Sequence, residues 1–292
     1  MRASTSSLKS KDLLGIEALL PDEIELILDT AEGFKEVSER PVKKVPALRG
    51  QLVINLFMEA STRTRVSFEI AEKRLSADTL NFTASGSSVE KGETLIDTAE
   101  NLVAMHPDMI VIRAKHPGAP KMLADRLPNV SIINAGDGSH EHPTQALLDA
   151  FTIRERLGRL AGVNVSIIGD IAHSRVVRSN IHLLTKMKAN VTVAAPPTLI
   201  PAEIEKMGVR VVNRLDEAVE GADVIMMLRI QLDRRGQLSV PPLRECYNTF
   251  GLHAHRPARE NSNATLRPPG PTKRGGGRPT RSHPRPETVR RQ

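Results

Sequence analysis

The sequence predicts an α/β protein of two consecutive domains, each a parallel sheet flanked by helices. Short runs rich in Val, Ile and Leu alternate with helical patterns, which is typical of βαβ units. A chain of 292 residues suits two such domains better than one small core. Because aromatic residues make up only 2% of the chain and Trp is absent, the core must be largely aliphatic.

The first domain is predicted to cover residues 1–148. Its first helix begins near Pro21, since proline suits a first turn and the apolar residues from Ile24 to Phe34 recur at helical spacing. The later elements alternate along the chain: strands are predicted near 51–57, 78–83, 109–114 and 130–134, with helices near 62–75, 93–105, 118–127 and 143–157.

A second domain is predicted for residues 149–252. Its first strand follows the long helical pattern that ends at Gly158. The elements again alternate: strands are predicted near 163–169, 190–195, 209–213 and 222–228, with helices near 174–188, 201–207 and 214–220. Periodicity stops after Leu252, so residues 253–292 are predicted to form a poorly packed basic tail rich in Pro, Gly and Arg.

The positive charge of the chain is concentrated in that tail. The whole sequence has 41 Lys and Arg against 34 Asp and Glu, and residues 252–292 alone have ten against two. The body of the protein is therefore close to neutral, with 31 basic and 32 acidic residues. A nucleic-acid-binding arm is the alternative to a poorly packed segment, but we expect no nucleic-acid partner. We hypothesise that an altered reading frame over parts of residues 253–292 produced the arginine excess and the loss of pattern.

Cysteine content and hydropathy bear on location. The single Cys246 cannot form an internal disulfide, which favours a reducing compartment, so the cytoplasm is predicted. The first residues lack the apolar core of a signal peptide, and no apolar run has the length needed to span a bilayer. We therefore expect no membrane partner.

A polar cluster follows the first predicted strand. Ligands of open parallel sheets bind beyond the carboxyl ends of the strands. There the segment Ser61-Thr62-Arg63-Thr64 leads into a helix, so backbone N–H groups, hydroxyls and a guanidinium could all contact one phosphate. An ordinary N-capping serine with surface arginines is the alternative. The glycine and lysine spacing of a P-loop is absent.

Further polar residues end the next strands of the first domain. The loop from Ser87 to Lys91 follows one strand, and Arg113 ends another. His142 and Gln145 lie three residues apart at a helix start, which suits them to polarise a carbonyl and orient an amine. Taken alone, the loop from Ser87 to Lys91 is more simply a solvated loop, and a lone Arg113 is as often structural as functional.

Metal and dinucleotide sites are not expected. His140 and His142 could bind a metal, but no neighbouring ligand set completes such a site. The loop after the first strand of the second domain lacks the Gly-x-Gly-x-x-Gly fingerprint, which argues against a dinucleotide. Arg175 in that loop is then a cation near the carboxyl ends of the strands. Arg229 and Gln231 follow a later strand and together suit a small carboxylate.

Taken in order, these motifs closely resemble those of the aspartate/ornithine carbamoyltransferase family. They are Ser61-Thr-Arg-Thr-Arg65, the loop from Ser87 to Lys91-Gly-Glu, Arg113, His142-Pro-Thr-Gln145 and Arg229-Ile-Gln231. The resemblance runs from about residue 8 to residue 252. It implies transfer of the carbamoyl group of carbamoyl phosphate to the amine of an amino acid, without metal or cofactor.

The resemblance also implies a role for each matching residue. The carbamoyl phosphate ligands would be Ser61, Thr62, Arg63, Thr64, Arg113, His142 and Gln145. Among them Thr64, Arg113 and His142 would be catalytic and face the carbonyl oxygen. The aspartate ligands would be Lys91, Arg175, Arg229 and Gln231. In this family the loop that corresponds to residues 87–91 reaches into a neighbouring subunit, so Ser87 and Lys91 would complete the site of another chain. A homotrimer with shared sites is therefore implied, with a regulatory chain or dihydroorotase as a possible further partner.

The acceptor predicted from the resemblance is L-aspartate. The Asp…Ser-Met-Gly segment and the His-Cys-Leu-Pro loop of ornithine enzymes are absent here. The expected product is N-carbamoyl-L-aspartate, made in the second step of pyrimidine synthesis. Pro268 stands where the family has a histidine, and no closing helix follows it. An ornithine-type enzyme and a catalytically silent homologue that acts as an assembly partner therefore remain alternatives.

Overall fold

The computed structural model describes residues 7–83, 93–228 and 265–267. Two compact units divide the chain. One contains Met1–Thr152 and Arg178–Lys186, and the other contains Ile153–Val177 and Met187–Gln292. Each unit contains a parallel sheet with helices packed against it, which confirms the predicted fold class. The predicted limits at residues 148 and 252 stay predictions.

The first unit has a sheet of four parallel strands in the order β2-β1-β3-β4. The strands are β1 (Leu52–Phe57), β2 (Asp78–Thr83), β3 (Met109–Ala114) and β4 (Ser131–Asp137). Both central strands, β1 and β3, are buried along almost their whole length, as expected where helices cover both faces.

The helices of this unit cover the two faces of its sheet. They are α1 (Pro21–Glu39), α2 (Thr62–Arg74), α3 (Leu95–Val103) and α4 (Ala119–Arg126), followed by α5 (Pro143–Leu157) and α6 (Arg175–Lys186), which belong partly to the second unit. Ile54 packs with Leu123 on one face of the sheet, and Phe57 packs with Phe68 of α2 on the other. None of the helices in the described ranges is long and apolar enough to cross a membrane.

The second unit has a parallel sheet in the order β7-β6-β5-β8-β9. Its strands are β5 (Asn164–Ile168), β6 (Asn190–Ala194), β7 (Arg210–Val212), β8 (Val224–Met227) and β9 (Thr265–Arg267). Residues 265–267, where the sequence predicts no strand or helix, pair in parallel with β8. The backbone of the C-terminal segment therefore contributes an edge strand.

The helix predicted at 201–207 is wrong. Two short 3-10 turns, Pro197–Leu199 and Ile204–Met207, occupy this region. Glu203 has φ 61° and Gly208 has φ 82°, so left-handed residues bound the second turn at both ends and no α-helix can extend through it. The neighbouring prediction at 214–220 corresponds to the five-residue helix α7 (Leu215–Val219).

Candidate active site

The predicted site residues that the structure describes in the first unit follow or end strands of its sheet. From β1 the chain crosses to β2 on one side and afterwards to β3 on the other, so the switch point, where ligands of open parallel sheets bind, lies where β1 and β3 end. Arg113 pairs in register with Phe57, the last residue of β1. The segment with Ser61 follows β1, and the segment with His142 follows β4. The topology thus brings three separate motifs to neighbouring strand ends.

Ser61 occupies the N-cap position of α2 without capping the helix through its side chain. Its hydroxyl donates instead to Thr64 Oγ1 at 2.9 Å. Thr62 and Arg63 are exposed at the same end of the helix. The N-capping alternative is therefore right about the position of Ser61 but wrong about its bond. The first-turn N–H groups and the positive end of the helix dipole suit an anion.

Two hydrogen bonds hold the side chain of Arg113 at the carboxyl end of β3. Its side chain is buried, with Nη1 donating to the Ala135 carbonyl at 3.0 Å and Nη2 donating to Glu59 Oε1 at 3.1 Å. The backbone N–H of Met58 donates to the Arg113 carbonyl at 2.9 Å, which ties the segment after β1 to β3. Sequence reasoning missed Glu59, although a carboxylate two positions before Ser61 in an arginine-rich segment was a usable signal.

His142 is buried and is fixed through its backbone by a residue of α6. Its N–H donates to Ser179 Oγ at 2.8 Å, and Ser179 Oγ in turn donates to Glu141 Oε2 at 2.7 Å. Thr144 Oγ1 lies 3.4 Å from the imidazole Nδ1. Sequence reasoning did not identify Ser179, because a serine within a helical pattern gives no sign of a partner 37 residues away.

Gln145 lies one turn before a buried carboxylate on α5. Its Nε2 donates to Asp149 Oδ1 at 3.0 Å, and Asn180 Nδ2 donates to Asp149 Oδ2 at 2.9 Å. Asp149 is fully buried, so these bonds offset its loss of water. Since Asp149 holds the nitrogen end of the amide, it also orients the Gln145 carbonyl oxygen.

His140 makes a local contact with Asp137. Its Nδ1 lies 3.1 Å from Asp137 Oδ2, which also accepts from the N–H of Gly118 at 2.8 Å. These bonds close the loop that follows β4. His140 is thereby placed in a local contact with the carboxylate that ends β4.

Three residues that could hold a metal lie close together elsewhere in the described part of this unit. One ligand atom each from Glu17, Glu141 and His182 lies within 4.8 Å of the others. Glu141 already accepts hydrogen bonds from the backbone of Ile16 at 2.9 Å and of Glu17 at 3.2 Å. Lys186 places an ammonium next to them, with Nζ 2.6 Å from the Glu17 carbonyl. The group is better suited to anchoring this N-terminal segment than to binding a dication.

The second unit has its own switch point, where β5 and β8 end side by side. Gly169 has φ 128°, and a Cβ there would lie 2.9 Å from the Leu228 carbonyl oxygen, so only glycine fits. Arg175, the first residue of α6, is buried in this unit. His173 Nδ1 lies 2.8 Å from Asp170 Oδ1. The other predicted site residues, Ser87, Lys91, Arg229 and Gln231, lie outside the described residues.

Two family models match almost the whole described chain. The carbamoyl-P binding domain of aspartate/ornithine carbamoyltransferases matches residues 11–155, and the Asp/Orn binding domain matches residues 161–251. The chain belongs to the aspartate/ornithine carbamoyltransferase family. Membership accounts for two successive parallel-sheet units and for the order of the site motifs along them.

Bacterial members of the carbamoyltransferase family are highly similar to the chain. The aspartate carbamoyltransferase catalytic subunit of Syntrophus aciditrophicus is 59% identical over 265 residues, which cover 91% of this chain and 86% of that protein. That of Syntrophotalea carbinolica is 57% identical over 265 residues, covering 91% and 84% of the two chains.

Solved carbamoyltransferase structures share the fold. Aspartate transcarbamoylase from Trypanosoma cruzi, in complex with carbamoyl phosphate and aspartate, has 29% sequence identity and a TM-score of 0.80 over 94% of this chain and 88% of that chain. The catalytic subunit of M. Jannaschii aspartate transcarbamoylase has 31% identity and a TM-score of 0.78, with coverages of 93% and 89%.

Proposed function

We propose that this chain is an aspartate carbamoyltransferase. It transfers the carbamoyl group of carbamoyl phosphate to the amine of L-aspartate, giving N-carbamoyl-L-aspartate and phosphate. The observation that carries this assignment is the Ser61–Thr64 segment at the start of α2, which follows β1, the strand whose last residue Phe57 pairs in register with Arg113. The aspartate specificity is supported by the names of relatives that are 59% and 57% identical.

The phosphate end of the substrate binds at the start of α2 in this proposal. Ser61, Thr62 and Thr64 supply hydroxyls and backbone N–H groups, and Arg63 supplies a guanidinium. The bond between the Ser61 and Thr64 hydroxyls orients them before substrate arrives. Several donors and a helix dipole at one end stabilise the dianionic phosphate as it leaves.

The carbonyl oxygen of the substrate faces Thr64, Arg113 and His142. Attack by the aspartate amine on the carbonyl carbon places negative charge on that oxygen, and fixed donors stabilise it. A hydroxyl donating from Thr144 to His142 Nδ1 leaves the proton on Nε2, which can then donate to the oxyanion. Gln145 accepts from the carbamoyl N–H₂ through the carbonyl oxygen that Asp149 orients.

Aspartate is held by cations of the second domain and of a neighbouring subunit. Arg175 and Arg229 bind its carboxylates, since guanidiniums match carboxylates in a bidentate geometry, and the Gln231 amide contacts its amine. Ser87 and Lys91 come from the neighbouring chain of a homotrimer, so that each site contains residues of two chains. A regulatory chain or dihydroorotase remains a possible partner of this trimer.

The reaction needs no metal or cofactor in this proposal, because catalysis rests on positioning and on electrostatic stabilisation. We place it in the cytoplasm, in the second step of pyrimidine synthesis. The lone Cys246 suits the reducing conditions of that compartment.

Phosphate release and product identity test this function directly. Purified protein receives carbamoyl phosphate with either L-aspartate or L-ornithine, and each carbamoylated product is identified by mass. We expect an aspartate-dependent product. An ornithine-dependent product would contradict the acceptor assignment, and the absence of turnover with both would contradict the enzymatic function and favour a silent homologue.

Mixing two inactive variants tests the shared site. Lys91→Ala and His142→Ala chains, each inactive alone, are denatured and refolded together. If Lys91 acts in a neighbouring chain, mixed trimers contain some sites with both residues intact and recover part of the activity. Thr64→Ala mixed with His142→Ala is the control. One chain supplies both of these residues to each site, so no site in a mixed trimer has both intact and activity should not recover.

A further inference from the structure

A buried acid and a buried amide meet where α2 packs against β1. Asn55, in the middle of β1, is fully buried. Glu72 is 5% exposed and is the one buried residue of α2. Asn55 Nδ2 donates to Glu72 Oε2 at 2.9 Å. The apolar layer on this face of the sheet includes Phe57 and Phe68. An ionised carboxylate would be costly in such surroundings unless it were fully hydrogen-bonded.

The oxygens of Asn55 and Glu72 that take no part in this bond indicate the protonation state of Glu72. Within the described residues, Asn55 Oδ1 and Glu72 Oε1 are both buried and make no hydrogen bond. Both are acceptors if Glu72 is ionised, so each would carry the cost of a buried polar atom without a partner. One proton on Glu72 Oε1 would let the acid donate to Asn55 Oδ1 and satisfy both atoms at once.

We propose that Glu72 is a neutral carboxylic acid that exchanges two hydrogen bonds with Asn55. This acid–amide pair is a positioning device for the carbamoyl phosphate site. It fixes α2, which begins with the phosphate-binding residues, onto β1, the strand that leads to them. Neither residue contacts substrate in this proposal, and both act through the placement of Ser61–Thr64. The positional part of the inference rests on the proposed function.

The surroundings of Glu72 favour its protonated form. Burial raises the pKa of the Glu72 carboxyl, while hydrogen bonding by Asn55 and Thr79 and the charge of Lys73 lower it, and the charge of Glu69 raises it. Glu69 and Lys73 are both on α2 and form an ion pair at 2.6 Å, so their charges act on the pKa of Glu72 in opposite directions. The groups of β1 and β2 that act on the pKa of Glu72 are the side chains of Asn55 and Thr79, and neither carries a charge.

Thr79 offers a competing arrangement. Its hydroxyl lies close enough to lower the pKa of Glu72, yet its Oγ1 is buried and makes no hydrogen bond of normal length. Donation from Thr79 to an ionised Glu72 would satisfy the acid but leave Asn55 Oδ1 without a donor. Thr79→Val therefore separates the two arrangements, because it removes only this competing donor.

The location of the pair gives it influence over the site. β1 ends at Phe57 and α2 begins at Thr62, so a four-residue connection joins the two elements. A short connection cannot absorb a shift of the helix, so any movement of α2 on β1 displaces Ser61 and Thr64. The acid–amide pair is thus placed to couple the docking of α2 to phosphate binding.

The pH dependence of stability is the first test. Glu72→Gln keeps both hydrogen bonds, since the amide can donate to Asn55 Oδ1, but it does not titrate. A pKa raised on folding contributes stability below the unfolded value of 4.5 that is lost as pH rises toward the folded value. Across that window the unfolding constant of the wild type should rise about tenfold per pH unit relative to Glu72→Gln.

Infrared spectra give a direct readout. At pH values between 4.5 and the folded pKa of Glu72, the wild type should show a buried, protonated carboxyl C=O band that is missing in Glu72→Gln and retained in Thr79→Val. If the wild type and Glu72→Gln keep parallel stability curves and the band is missing in both, Glu72 is ionised and the proposal is overturned. Neither readout uses turnover, so this failure is distinct from failure of the proposed function.

Kinetics test the positioning role. Glu72→Ala should raise the KM for carbamoyl phosphate, and Glu72→Gln should restore it. The wild-type KM should rise as the pH passes through the folded pKa of Glu72, whereas that of Glu72→Gln should stay constant. A KM that Glu72→Gln fails to restore, or that rises equally with pH in both proteins, would contradict positioning by the neutral pair. Lys121→Gln serves as the control and should leave the KM unchanged, because Lys121 is an exposed lysine of α4 that pairs with Asp125.

Discussion

Arg113 and Glu59 form an ion pair at the end of β3, with 3.1 Å between Arg113 Nη2 and Glu59 Oε1. Arg113 Nη1 donates at the same time to the Ala135 carbonyl of the neighbouring strand. Two bonds from different elements therefore set the plane of the guanidinium before any ligand binds. Such preorganisation is what stabilisation of a developing oxyanion requires.

Replacing Arg113 with Ala should lower kcat by about 10²–10³, the usual cost of removing one donor to a developing oxyanion. Steady-state kinetics with carbamoyl phosphate and aspartate measure the effect. Arg126→Ala is the matched control, because Arg126 forms only an exposed ion pair with Glu100 at 2.9 Å. Equal losses in the two variants would contradict a specific role for Arg113.

Replacing Ser179 with Ala should destabilise the protein by about 1–3 kcal/mol, because the fully buried hydroxyl bonds both the His142 N–H and Glu141. It should also lower kcat, since the backbone of His142 loses its acceptor. Chemical denaturation and kinetics measure the two effects. Thr152→Ala, which removes an exposed hydroxyl bonded only to the Leu148 carbonyl at 2.9 Å, should change neither.

Replacing Asp149 with Asn should affect binding of the carbamoyl group. The new amide can present its N–H₂ group to Gln145 Nε2, which is also a donor. Two donors cannot form a hydrogen bond, so the Gln145 side chain should turn away from its present orientation. We expect a higher KM for carbamoyl phosphate with a smaller change in the aspartate dependence. A KM for carbamoyl phosphate equal to that of the wild type would show that Gln145 does not depend on this contact.

Stability should fall as the solution is acidified through the range where His182 titrates. Burial lowers the pKa of His182 below its ordinary value of 6.5, although the charges of Glu141 and Glu17 act in the opposite direction. Between the folded and unfolded pKa values the unfolded chain binds more protons, so stability rises with pH there. Denaturation midpoints against pH should show this slope in the wild type and a weaker one in His182→Gln. Parallel curves would contradict the assignment.

Replacing Arg229 with Ala should raise the KM for aspartate strongly and leave carbamoyl phosphate binding intact. The residue is proposed to hold an aspartate carboxylate, and a lost contact to a charged group usually costs about 1.5–3 kcal/mol. Isothermal titration with carbamoyl phosphate and kinetics over a range of aspartate concentrations separate the two effects. An unchanged aspartate dependence would contradict the acceptor assignment.

Most of the fold was predictable because its strands are short apolar runs separated by helical patterns. The central strands β1 and β3 are buried along almost their whole length, so their sequences are continuous in Val, Ile and Leu. The region 201–207 was not predictable in this way. Its apolar spacing suits a helix, but the left-handed backbone at Glu203 interrupts it. The edge strand at Thr265–Arg267 is too short to show a pattern of its own.

The sequence by itself determined the chemistry available to this protein. Ser61, Arg113 and His142 are recognisable because polar residues directly after apolar strands must lie at the carboxyl edge of a parallel sheet. Tertiary structure alone decided what holds them there. Glu59 meets Arg113 across 54 residues and Ser179 meets His142 across 37, and local periodicity carries no information about such pairs. Those contacts arise only when separate elements pack together, because burial then forces each polar group to find a partner.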